Sequence, residues 1–149
     1  MLTEVQAMHQ QSHPHLSPEL GSDCHALAHG PSLDVLLVED DPALRRVLSE
    51  VLRVYGHRAV EAATAAEAMR RLRCQRFHAL VTDYNLGTTN GLELVLDASR
   101  VQSGLRSVLA TGQRLTVDEA AQLRACGAGL LRKPFVPTEL MTAIGAKPV

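Results

Sequence analysis

Between Leu33 and Ile144 the apolar residues follow two alternating patterns, short runs rich in Val, Leu and Ala and longer stretches with three-and-four spacing. These are the marks of buried strands and of amphipathic helices. The run Asp34–Val38 predicts a first strand. Asp41-Pro42 then reads as a helix N-cap followed by proline at the first helical position. Leu44, Val47, Leu48, Val51, Leu52 and Tyr55 continue one apolar face until Gly56 ends it. Residues 58–61 predict a second strand, and Thr64-Ala65-Ala66-Glu67 is a capping box that opens a helix turning Ala68, Met69 and Leu72 inward. A third strand is expected over 77–82, and a loop over 83–90. The helix Gly91–Val101 follows, with Leu92, Val95 and Leu96 on its apolar face. A strand over 106–110 precedes a second capping box, Thr116-Val117-Asp118-Glu119, whose helix stops at Cys126-Gly127. The strand Gly129–Arg132 and a short helix over 137–144, with Pro137 in its first turn, close the pattern.

Five strands alternating with five helices, through connections too long for hairpins, predict an α/β fold: a doubly wound, five-stranded parallel sheet covered on both faces. In such a sheet the functional crevice lies beyond the carboxyl ends of the strands, where the strand order reverses. The polar residues expected there are Glu39-Asp40-Asp41, Asp83, Thr111 and Lys133. Taken singly, each has an ordinary reading: Asp41 is a helix cap before Pro42, Thr111 a turn former, Lys133 a solvated cation. Their joint placement points to chemistry. Glu39, Asp40 and Asp83 brought within a few ångströms could not all stay ionised without a cation, because like charges raise one another's pKa. Carboxylate and carbonyl oxygens with retained waters suit Mg²⁺, which is commonly shared with a phosphate. Lys133 can pair with a phosphoryl oxygen or with Asp83, and the Thr111 hydroxyl can donate to another phosphoryl oxygen. Together these residues predict a phosphoryl-transfer site.

The 149 residues, 46% hydrophobic and 21% charged with a net charge of −1, supply material for one domain. Apolar runs are strand-sized, far short of the roughly 18 residues of a membrane span. Residues 1–32 lack the basic start and apolar core of a secretory signal, so a cytoplasmic protein is expected. That stretch carries five of the seven histidines and Glu4, Glu19 and Asp23 with no Lys or Arg, whereas residues 33–149 hold 15 basic and 13 acidic residues. It reads as a flexible His-rich arm before the domain over 33–149. A metal-binding arm built from Cys24, His25 and His29, or from His13 and His15, is the sharper alternative, though these are not zinc-site spacings. Cys24, Cys74 and Cys126 are too widely spaced for a dithiol and read as reduced, mostly buried thiols. Without a basic excess or aromatic platform, direct DNA binding is not expected.

The chain from Leu33 to about Ile144 resembles the receiver domain of two-component response regulators, through LLVEDDPALRRVL, ALVTDYNLGTTNGLEL, VLATG and LLRKPF. The resemblance implies a flavodoxin-like (βα)5 receiver fold in which Glu39 and Asp40 match the family's acidic pair, Asp83 its phosphoacceptor, Thr111 its switch hydroxyl and Lys133 its lysine. It implies Mg²⁺ held by Glu39, Asp40, Asp83 and the backbone carbonyl of Asn85, and a cis peptide at Lys133-Pro134. The chain departs from the pattern at three places. Gly87 replaces a proline in the loop after the acceptor, Asn90 replaces an aspartate before Gly91, and Leu130 stands where the family carries an aromatic switch residue. By the resemblance, the protein is a stand-alone receiver rather than an enzyme, charged by a histidine kinase or histidine phosphotransfer protein and signalling to a downstream protein by contact. Two alternatives are a haloacid-dehalogenase-like phosphatase, whose second aspartate would fall at Asn85, and a receiver-like interaction module that is never phosphorylated.

Overall fold

A computed structural model of the chain describes residues 30–146. The expected arm, residues 1–32, and the metal-binding reading of it lie almost wholly outside the described residues, as does Cys24. Twelve elements follow in order: β1 (Asp34–Val38), α1 (Pro42–Val54), β2 (Arg58–Ala62), α2 (Ala65–Cys74), β3 (Ala79–Asp83), β4 (Asn85–Leu86), β5 (Thr89–Asn90), α3 (Gly91–Val101), β6 (Arg106–Thr111), α4 (Val117–Ala125), β7 (Gly129–Arg132) and α5 (Pro137–Ala143). The main sheet is parallel throughout, in the order β2-β1-β3-β6-β7. The expected doubly wound topology is therefore present, with the order reversing beside β1.

Strand alternation divides the core. Leu36, Val38, Leu80 and Leu109 pack under α2, α3 and α4. Val35, Leu37, Val81 and Val108 pack under α1 and α5. Because both faces are covered, the strands read as unbroken apolar runs rather than as alternating ones. Each fully buried leucine contributes about 1.5–3 kcal/mol relative to exposure.

The helix signals act as expected. The Asp41 carboxylate accepts from Ala43 and Leu44 N–H, the Thr116 and Glu119 capping box is reciprocal, and the Thr64 hydroxyl accepts from Glu67 N–H. Glu67 reaches back to Ala63 N–H at 3.0 Å, one residue before the cap.

Several expectations are corrected. The third strand begins at Ala79, not Phe77, because the Phe77 N–H donates to the Gln102 side chain at 3.0 Å and so never joins the ladder. The expected loop over 83–90 contains the antiparallel hairpin β4–β5, turned at Gly87 with φ +75. A two-residue hairpin turn needs a positive φ that glycine supplies without strain. Val47 lies 58% exposed although it falls on the predicted apolar stripe of α1, because only Leu48, Ser49 and Leu52 reach the sheet deeply. Cys74 is exposed at the end of α2 and Cys126 half-buried, so the thiols are not mostly buried. His57, beside β2, is buried and its Nδ1 accepts from Leu33 N–H at 3.2 Å. No helix of the described residues is long and apolar enough to cross a membrane.

Candidate functional site

Parallel strands deliver their carboxyl ends to one rim, and the register sets the depth of each side chain there. Asp83 ends β3 opposite Ala110, Thr111 ends β6 opposite Arg132, and Glu39-Asp40 follow β1 directly. The strand pattern persists beyond the strand ends through three bonds: Glu39 N–H to Ala62 C=O at 3.2 Å, Tyr84 N–H to Ala110 C=O at 2.9 Å and Lys133 N–H to Thr111 C=O at 3.0 Å. These bonds hold residues distant in sequence against one another.

The predicted residues meet. Glu39, Asp40 and Asp83 each present a carboxylate oxygen within 4.8 Å of the others. The Lys133 ammonium lies 3.1 Å from Asp83 Oδ1 and 3.7 Å from Glu39 Oε2. Glu39 is buried, Asp83 half-buried and Asp40 exposed, so the cluster opens outward from its protected end. Burial pushes the Glu39 carboxyl above the usual carboxylate range, and the nearby Asp40 and Asp83 add to this. The Asp41 N–H, 3.1 Å from Glu39 Oε1, and Lys133 work in the opposite direction. Three carboxylates against one ammonium leave two negative charges uncompensated. A hard divalent cation with oxygen ligands fits that donor set.

Thr111 is buried, and its Oγ1 accepts from Gln113 N–H at 3.0 Å, leaving the hydroxyl proton to be donated elsewhere. Asn85 sits exposed at the start of β4, two residues beyond Asp83. Lys133-Pro134 is cis, as the resemblance implied. Leu130 is 39% exposed on β7, the strand at the end of the sheet.

Two residues of this region escaped the sequence reading. Arg45 donates from Nη1 to the Glu39 carbonyl at 2.7 Å and pairs through Nε with Glu61 at 3.5 Å, bracing the backbone of the acidic pair. Its position one turn into α1 was the available signal. Tyr84 hydroxyl donates to the Glu119 carboxylate and accepts from Asn90 Nδ2 at 3.1 Å. Glu119 holds the Tyr84 phenol above its usual pKa and is itself held below the carboxylate range by that bond. No sequence pattern joins residues 35 positions apart in this way.

Comparison with known proteins gives the family and the fold. The family model for the response regulator receiver domain matches residues 35–145. The Regulatory protein VirG of Agrobacterium tumefaciens is 30% identical over 125 residues, which span 83% of this chain and 46% of that protein. The DNA-binding response regulator MtrA of Mycolicibacterium smegmatis is 31% identical over 113 residues, 76% of this chain and 49% of that protein. The chain thus spans about half the length of these curated relatives. Among solved structures, a CheY-like response regulator receiver domain protein from Methanospirillum hungatei superposes with a TM-score of 0.71 at 25% identity, covering 77% of this chain and 92% of that one.

Proposed function

Since the chain belongs to the response regulator receiver domain family, we propose that it is a phosphoryl-accepting switch of two-component or phosphorelay signalling, charged on Asp83 by a histidine kinase or histidine phosphotransfer protein. The observation that carries this reading is the Lys133 ammonium 3.1 Å from the Asp83 carboxylate, beside the acidic pair Glu39 and Asp40. In the transfer an Asp83 carboxylate oxygen forms a bond to phosphorus while the phosphorus–nitrogen bond of a donor phosphohistidine protonated on its other ring nitrogen breaks; the bond electrons return to the donor nitrogen, leaving an acyl phosphate and a neutral imidazole. Lys133 and the Thr111 hydroxyl hold phosphoryl oxygens of the product. Glu39, Asp40, Asp83 and the Asn85 backbone carbonyl would hold Mg²⁺, which would supply positive charge beside the phosphoryl oxygens. The family is not a family of ordinary enzymes, and Asp83 is consumed and regenerated rather than turning over a small substrate. The reading concerns the receiver unit itself, and its output passes through the surface near α4, β7 and α5.

With Mg²⁺ and acetyl phosphate, intact mass should show one phosphoryl group on the wild-type chain and none on Asp83→Asn. Equal labelling of the two would place the acceptor elsewhere, and steady turnover of a generic phosphatase substrate would replace the receiver reading by a dehalogenase-like one.

A further inference from the structure

Tyr84 follows Asp83 directly, and its backbone is clamped on both sides. Its N–H donates to Ala110 C=O at 2.9 Å, and its C=O accepts from Gly91 N–H at 2.7 Å. A displacement of Asp83 is therefore passed to Tyr84. The half-buried side chain leads away over the core that α3 and α4 cover. There its hydroxyl joins two helix starts. Asn90, which donates to that hydroxyl, is the N-cap of α3 and accepts from Leu92 N–H at 2.7 Å. Glu119, which accepts from it, belongs to the capping box of α4 and accepts from Thr116 N–H at 2.8 Å through its other oxygen.

The consequence lies in residues 112–116, which connect the buried Thr111 to the first turn of α4. One end of this connection must follow Thr111 when the hydroxyl turns to an acyl phosphate. The other end is held through Glu119 to the residue beside the acceptor. Phosphorylation also adds about 1.5–2 negative charges next to Tyr84, on the side of a bond whose acceptor, Glu119, is already anionic. Leu130, exposed on β7, has no polar atom in its side chain with which to take up such a bond. A bond made in one state and weakened in the other biases the equilibrium between them by its own strength.

Resting on the receiver reading, we propose that the Tyr84–Glu119 hydrogen bond is a latch that holds the start of α4 in its resting place, and that charging Asp83 releases it. Tyr84 is then a positioning residue that touches no phosphoryl group. The surface it controls is the first turn of α4, which carries Val117, 84% exposed.

The test is amide NMR on the full chain with Mg²⁺, before and after addition of beryllofluoride, together with the rate of charging by acetyl phosphate. Tyr84→Phe without beryllofluoride should move the amides of residues 112–125 part of the way along the line from resting to loaded wild type. It should charge to wild-type stoichiometry, about two- to tenfold faster, the factor expected from one hydrogen bond. Glu119→Ala should move the same amides along the same line. Thr116→Ala, which loosens the same helix end but leaves the latch, should not. Resting positions unchanged in Tyr84→Phe would overturn the latch, and so would a Thr116→Ala shift along that line, which would mean simple fraying. If Tyr84→Phe fails to fold, Glu119→Ala against Thr116→Ala decides in the same way. A wild-type chain that takes no phosphoryl group would instead sink the receiver reading, a result distinct from any of these.

Discussion

Replacing Gly91 with alanine places a carbon against the backbone of the proposed phosphoacceptor. The added Cβ would lie 2.0 Å from the Asp83 carbonyl oxygen, 2.9 Å from its carbonyl carbon and 3.2 Å from Leu109 Cδ1. A carbon and a carbonyl oxygen approach no closer than about 3.3 Å, so the start of α3 and the end of β3 must part by more than about 1 Å. Neither side yields easily, since Leu92, Val95 and Leu109 are buried and the Gly91 N–H to Tyr84 C=O bond spans the same gap at 2.7 Å. Overpacking costs about 1–3 kcal/mol and a lost hydrogen bond about 1 kcal/mol. The expected destabilisation is therefore about 2–4 kcal/mol, or a fall in Tm on the order of 10 °C for a domain of this size. A 1 Å displacement of Asp83 relative to Lys133 and Glu39 should slow charging by roughly 100-fold. Urea unfolding followed by circular dichroism, with acetyl phosphate charging followed by intact mass, measures both effects. Gly112→Ala is the control, because its Cβ would meet only Lys133 Cβ, at 3.9 Å; it should stay within about 0.5 kcal/mol of wild type. A Gly91→Ala chain with the wild-type midpoint and charging rate would refute the reasoning.

Asp40→Ala removes the exposed member of the acidic cluster and should weaken Mg²⁺ affinity and phosphorylation together, by about tenfold or more, read by calorimetric titration; unchanged affinity would remove Asp40 from the site. Glu67 is held below the ordinary carboxylate value of 4.5, first by the Ala63 N–H and then by Arg71. Its folded value being lowered, the stability it contributes is full above the unfolded value and is lost as pH falls through the folded one. Acid unfolding of Glu67→Gln, lacking that carboxylate, should be less steep below pH 4.5, and equal slopes would exclude Glu67 from the acid response.

The arrangement also shows how one side chain can serve stability and function at once. Glu119 satisfies an orphan N–H at the start of α4 and accepts the Tyr84 hydroxyl, while Arg45 extends from α1 to the carbonyl of Glu39. Glu119 acts on Tyr84, next to the acidic cluster, and Arg45 on the backbone of Glu39, a member of it. A substitution at either position should therefore alter how the site is held more than which groups it contains.

The one-dimensional pattern was sufficient for most elements. Helix starts at Asp41, Thr64 and Thr116 and the stops at Gly56 and Gly127 are local chemistry, in which a side chain meets a backbone group within a few residues. Apolar runs declare the buried parallel strands, and the rule for their carboxyl ends brings Glu39, Asp40, Asp83, Thr111 and Lys133 to one rim. What the chain order could not express was distance and depth. The gap between Lys133 and Asp83, the burial of Glu39, the hairpin inside residues 83–90 and the exposure of Val47 and Cys74 depend on strand register and on which helix covers which face. The bonds of Tyr84 to Glu119 and of Gln102 to Phe77 join residues 35 and 25 positions apart. Local propensity carries no information about such pairs, because their partners become neighbours only when the sheet has assembled and the helices have packed.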